Sequence, residues 1–411
     1  MMTTTDRETL RDLARRVSEI SSDPVMDERK ALWKKHNSLR RVRPLILIFP
    51  EGSWRELLPE TALKCENEKA RQIELALRRR IYYYEHFSDD TVIERIWNVQ
   101  KTINSTGWGL EPKRIPSPDK HGSWMFDPVI KGSDDIKKIR HPEISFDDIE
   151  TQKNLTAAQE LFGDILDVRL VGVQHISYHL PAQYSYWRGL ENMMLDMVDN
   201  PQMLLDALHI LEEGQRRILE QYVSLNLLSL NNDNTYNNSG GNSWTDELPA
   251  DGFDPAHIRP KDMWASAEAQ ELAGVSPRMH DRFALDFEKR LLEPFGLTGY
   301  GCCEDLTNKL DRVFRIPNIR RISISPFANV DACAEKLEGN YIFSWKPQPS
   351  HLCGGFNELF IRDYIKHTLD VAKDCVLEII LKDTHTCENK PERFDRWSKI
   401  ARELVEDKRD A

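Results

Sequence analysis

Short apolar runs recur along the chain, each closed by Pro, Gly or polar residues. Most are separated by stretches with helical spacing. They are Arg43-Pro-Leu-Ile-Leu-Ile-Phe-Pro50, a run within 91–105 that fits strand or helix, Asp167–Val173, Leu227–Leu230, Leu297–Tyr300, Ile319–Ser325, Tyr341–Trp345 and Val376–Leu381. Apolar runs of this length, alternating with helices, imply a parallel sheet. About eight such units without a Gly-rich phosphate fingerprint point to an α/β fold, a single (β/α)8 TIM barrel. A doubly wound open sheet is the alternative.

The remaining segments fit around those strands. Leu10, Leu13, Val17 and Ile20 recur at helical spacing before the Asp23-Pro24 break, and a second helix carries Trp33. Residues 1–42 therefore read as an N-terminal helical extension and 43–411 as the barrel. Residues 64–85 and 394–405 also read as helices, as does the region from Trp264 to Leu292. Residues 106–150 are rich in Gly, Pro and charge. They read as an excursion ordered on the body, because Trp108, Trp124 and Phe126 give it something to bury.

In a barrel the C-terminal strand ends converge on one mouth. The residues that follow the strands are Glu51, then His175 and His179, then Asn232 and Asp233, then Cys302, Cys303 and Glu304, then Ser325, Lys346, Lys382, Asp383 and His385. Thiolate, imidazole and carboxylate in one place suit zinc. Two strand-end lysines suit an anionic substrate group. The plainer reading is that one cysteine packs as a small hydrophobe and the lysines pair with nearby acids.

The net charge of −11 argues against a nucleic-acid partner, which needs a basic face. The polar start lacks a signal-peptide core, and no run approaches the roughly 20 apolar residues that span a membrane. Seven scattered cysteines do not form a disulfide framework, so a cytoplasmic setting is expected.

Several motifs resemble the uroporphyrinogen decarboxylase superfamily, and within it the corrinoid-dependent methyltransferase-like branch. They are Trp187-Arg-Gly-Leu-Glu-Asn-Met-Met-Leu-Asp-Met-Val-Asp-Asn-Pro201, Gly241-Asn-Ser-Trp-Thr-Asp-Glu-Leu-Pro249, Asp262-Met-Trp264, Tyr300-Gly-Cys-Cys-Glu304, Ile322-Ser-Ile-Ser-Pro326, Lys346-Pro347, Lys382-Asp383, Pro391-Glu-Arg393 and Trp397. The resemblance runs from about residue 155 to residue 405 and implies one (β/α)8 barrel. The decarboxylases' arginine-rich N-terminal segment is missing from Arg43–Glu51, which argues against porphyrinogen decarboxylation. The methyltransferases hold zinc with a His-x-Cys at one strand end and a Cys at the last strand. Here Tyr300-Gly301-Cys302 keeps the cysteine and not the histidine, and Asp383-Thr-His-Thr-Cys387 offers His385 or Cys387.

The resemblance implies a methyltransferase that moves a methyl group between a small substrate (a methyl ether, amine or thiol) and a corrinoid (cobalamin) carried on a small partner protein, with zinc assisting. The expected metal ligands are Cys302, Cys303 and His385. Glu304, His175, Asp383, Lys346 and Lys382 are the expected catalytic residues, and Asn232, Asp233 and Ser325 are expected to bind cofactor. A homodimer is compatible with this reading. The rivals are a zinc-free lyase using Lys346, Lys382 and Asp233 on a carboxylated molecule, and a non-catalytic binding barrel.

Overall fold

The computed structural model describes residues 2–118, 122, 124–237 and 239–407. Two helices open the chain. Thr3 caps Thr4–Ser21 in a reciprocal capping box with Asp6, and Asp23 caps Pro24–Asn37 with Pro24 in its first turn. The first helix buries Leu10, Ala14, Val17 and Ile20 against the helix Glu68–His86 and the Phe162–Leu166 turn. The second ends inside the fold: His36 and Asn37 are buried and bond to strand residues. This helical pair is thus packed into the body, closing one end of the sheet interior.

The centre is a parallel sheet of seven strands. In spatial order they are Leu45–Ile48, Val376–Leu381, Ile342–Trp345, Ile319–Ile324, Leu297–Tyr300, Trp264–Ala267 and Ser177–Tyr178. Strands buried on both faces carry near-continuous apolar sequence, as Leu45–Ile48, Ile342–Trp345 and Val376–Leu381 do. The expected strands at 45–48, 297–300, 319–324, 342–345 and 376–381 are all present.

Three expectations change. Trp264–Ala267 is a strand, not the start of a helix. Its Ala and Ser residues carry no period-two signal, and their burial comes from the neighbouring strands. Leu227–Leu230 contributes one isolated bridge, Leu228 to Val173. Ile96–Gln100 pairs with Asp167–Val171 in a separate two-stranded parallel sheet. The seven-stranded sheet is therefore not closed into the expected eight-stranded ring; it opens between Leu45–Ile48 and Ser177–Tyr178.

The 106–150 excursion carries a small hairpin, Arg114–Pro116 with Trp124–Phe126, and a strand Ile144–Asp147 that pairs antiparallel with Thr102–Ser105. Trp108 packs on Gly214 and Trp187 as expected. Trp124 does not bury: it is 52% exposed, with Arg114 stacked on it. Among the described residues, no helix is long and apolar enough to cross a membrane.

Candidate active site at the strand ends

The inward positions of the central strands are polar and alternate with apolar ones. They are Arg321, Ser323 and Ser325 on one strand, Ser344 and Lys346 on the next, then Glu378 and Lys382, all buried. The cross-strand register places Ser323 beside Ser344 and Ser344 beside Glu378. A buried charge needs a partner. Arg321 donates to Glu378 at 3.0 Å and to Asn37 Oδ1 at 2.7 Å, and His36 lies 3.1 Å from Glu378. Burial pushes the Glu378 carboxyl up, but Arg321 and His36 outweigh it and hold it down at about 2.

The loop after Leu230 turns into this interior. Gly241 has φ +81°, and a Cβ there would lie 2.9 Å from Arg321 and from Glu378. Only glycine meets both the left-handed backbone and the close approach. The loop brings Ser239 over the strand ends, where it donates to Cys302 Sγ at 3.3 Å and lies 3.4 Å from Lys382 Nζ.

Cys302 and Cys303 sit together after Tyr300, with 3.6 Å between sulfurs, and Cys303 Sγ is 3.9 Å from Asp383 Oδ2. The shared hydrogen bond, then burial and Glu268, raises the Cys302 thiol. The same bond lowers Cys303 against its burial, so the two thiols titrate as a pair and Cys303 is the one that gives up its proton more readily. Burial works against the Lys382 ammonium. Tyr236, Cys302, Asp383 and Glu51 together overcome it and hold the pKa above the ordinary lysine value. Asp383 is 3.7 Å away.

Lys346 behaves oppositely. Its Nζ turns inward to Ser344 O at 3.0 Å and Ser344 Oγ at 2.8 Å. Burial, with Lys382 adding to it and Glu378 opposing, brings it down to about 7. The two strand-end lysines thus do not both project into the mouth.

Acids complete the rim. Glu304 is fully buried and accepts from the Ala269 and Cys302 amides at 3.1 and 2.8 Å. It ties two strand-end loops together, and burial followed by Glu268 raises its pKa. Glu268 is 2.6 Å from His179 Nδ1. Burial pushes Glu268 up, but His179 outweighs it and lowers the carboxyl. The pairing of Glu268 with His179 and its proximity to Cys302 escape sequence reasoning because Glu268 ends the strand misread as helix. The period-two polar positions in Ile322-Ser-Ile-Ser325 and Ser344-Trp-Lys346 are the signal that finds the inward-facing set.

Other expected site residues are engaged locally or lie elsewhere. His175 stands on the exposed rim with Nδ1 3.2 Å from Tyr236 O. Ser325 accepts from the Phe327 amide at 3.3 Å in a local turn. Asn232 donates to Leu248 O at 2.7 Å, and Asn232 and Asp233 line a separate cavity. His385 is exposed and packs against Gly52, and Cys387 turns away to Glu56 at 3.1 Å. Among the described residues, no group of three or more His, Cys, Asp or Glu side chains is arranged to hold a metal ion. The ligand set Cys302, Cys303 and His385 does not fit zinc as placed, and no step is assigned to it.

A second buried polar group lies behind Tyr300. The Tyr300 hydroxyl donates to Glu288 at 2.8 Å and is 3.1 Å from His280 Nε2. Burial, then Lys309 and Arg312, brings His280 down to about 3, and burial raises Glu288 well above the usual carboxylate range.

No family model matches the chain, and no curated protein matches it. Among solved structures, a methyltransferase from Methanosarcina mazei matches with a TM-score of 0.51 at 11% sequence identity, covering 92% of this chain and 98% of that one. The two share a fold over nearly their whole lengths.

Proposed function

We propose that the protein is a methyltransferase acting on a small substrate at the mouth around Cys302 and Lys382. The observation that carries the reading is the meeting there of a hydrogen-bonded thiol pair, a fixed ammonium and a His–Glu pair. Support for methyl transfer comes from the fold shared end to end with a methyltransferase and from the sequence motifs. The exchange partner in this proposal is the corrinoid of a small protein, a part that rests on the sequence resemblance.

In methyl transfer the nucleophile attacks the methyl carbon as the carbon–heteroatom bond breaks. The heteroatom keeps the electron pair and takes a proton. Lys382 anchors an anionic group of the substrate, and the Cys302–Cys303 pair beside it orients the heteroatom. His179, held by Glu268, is the exposed group placed to deliver that proton.

A metal-free lyase acting on a carboxylated substrate is the second reading, favoured by the lowered Lys346 pKa and by the scattered zinc ligands. The test is a panel of methyl thioethers, methylamines and methyl ethers offered with cob(I)alamin, alongside carboxylated compounds assayed for released CO2. Methylcobalamin formation that depends on Lys382 supports methyl transfer. CO2 release without methyl transfer replaces it with the lyase reading.

A further inference from the structure

The sheet's opening coincides with a cavity of about 720 Å³ that does not include Cys302, Lys346 or Lys382. Its walls are the segments that leave the sheet unclosed: 91–98, 169–174, 229–235 and 244–246, with Lys34 and Arg80 from helices. In the pair of strands there, Asn98 lies opposite Arg169, so both side chains project from the same face.

Most charges on these walls already have partners. Lys34 bonds Asp246 at 2.7 Å. Asp233 accepts from the Thr235 amide and hydroxyl. Glu94 lies 3.7 Å from Lys30. Arg80 and Arg169 are different: among the described residues neither makes a hydrogen bond or ion pair with a carboxylate. Arg80 is half-buried and held in place, donating to Ile96 O at 2.7 Å and stacking on Trp97. Arg80 is held at Ile96 and Arg169 stands opposite Asn98, two residues along the same strand, so both stand near one end of the cavity, with Glu94 also on its wall. Neither fork is filled by a carboxylate, and a guanidinium's planar fork matches the two oxygens of a carboxylate or phosphate.

We propose that this cavity is a second ligand site, separate from the mouth, which takes a small organic anion with its carboxylate or phosphate between Arg80 and Arg169. Asn98, Gln174 and Asn232 line the cavity and supply amide donors and acceptors for the rest of the molecule. The volume fits a ligand of metabolite size, within the usual range of about 300–1,000 Å³.

Calorimetric titration of the full chain tests this, with succinate as the carboxylate probe and inorganic phosphate as the phosphate probe. Saturable binding of one probe is expected, and which one binds identifies the anionic group. Arg169→Gln alters an exposed side chain and should weaken binding by about tenfold or more, while Lys382→Met leaves it unchanged. Arg80→Lys keeps the charge and loses the fork, and should also weaken binding. Absence of saturable binding by either probe overturns the proposal. So does binding that survives Arg169→Gln, or binding lost in Lys382→Met, which would place the anion at the mouth. None of these outcomes depends on methyl transfer.

Discussion

Replacing Lys346 with Met should stabilise the protein at neutral pH and flatten its response to alkali. Burial brings this lysine from 10.5 to about 7. At about 1.4 kcal/mol per unit, that shift costs about 4 kcal/mol near neutrality. The sign follows from proton counts. Between the folded and unfolded pKa values the unfolded chain holds the proton and the folded chain has released it, so stability rises with pH through that window. From about pH 7 to about pH 9 the wild type should gain about 2 kcal/mol from this group alone. Met fills similar space without charge but leaves the Ser344 carbonyl and hydroxyl without this donor, a loss of about 1–2 kcal/mol. Lys346→Met should therefore be more stable than wild type by about 2 kcal/mol at neutral pH, and the difference should fade by about pH 9. Urea unfolding of both proteins at the two pH values measures this, and the same samples are assayed for activity. A variant less stable than wild type at neutral pH, or a difference that does not change with pH, refutes the reasoning. A stabilised but inactive variant would mark Lys346 as a group retained for function against its effect on stability.

Further outcomes follow from the same geometry. Gly241→Ala should destabilise the fold by several kcal/mol, because it combines a left-handed backbone with a Cβ 2.9 Å from Arg321 and Glu378; an unchanged urea midpoint would contradict the inserted loop. Glu56 accepts from the Cys387 and Asn389 amides and is held down at about 2, so Glu56→Gln should lower the melting temperature at neutral pH and less so in acid, where the wild-type carboxylate begins to protonate. Protein purified without chelator should hold less than a stoichiometric amount of zinc, since Cys302, Cys303 and His385 are not brought together; a full equivalent that is lost in Cys302→Ala would overturn that placement.

The strands were legible where burial on both faces imposes continuous apolar sequence, as in Val376–Leu381, and where a proline or lysine ends the run. The mouth followed from those ends, which is why Cys302, Cys303, Lys382 and Asp383 were found together. Trp264–Ala267 was not legible, because small residues take their burial from neighbours rather than from their own pattern. Glu268 and its contact with His179 were lost with it. The resemblance offers His385 or Cys387 as a ligand at the last strand, but the backbone past Lys382 turns them toward Gly52 and Glu56. The Lys346 direction was also hidden: it holds an inward position as Lys382 does, but its side chain folds back to the Ser344 carbonyl and hydroxyl two residues earlier. Nothing local marks Arg80 and Arg169 as neighbours of one cavity, since they come from a helix and a strand far apart in sequence.

The central claim is that methyl transfer occurs at the mouth formed by Cys302 and Lys382. Single-turnover transfer of a ¹³C-labelled methyl group between a panel donor and cob(I)alamin, followed by NMR in wild type, Lys382→Met, Cys302→Ala and Arg169→Gln, tests it most directly. The account predicts labelled methylcobalamin with wild type and with Arg169→Gln, and a rate lower by about a hundredfold in Lys382→Met and Cys302→Ala. Labelled product formed equally by all four proteins, or by none of them with any donor, would contradict it.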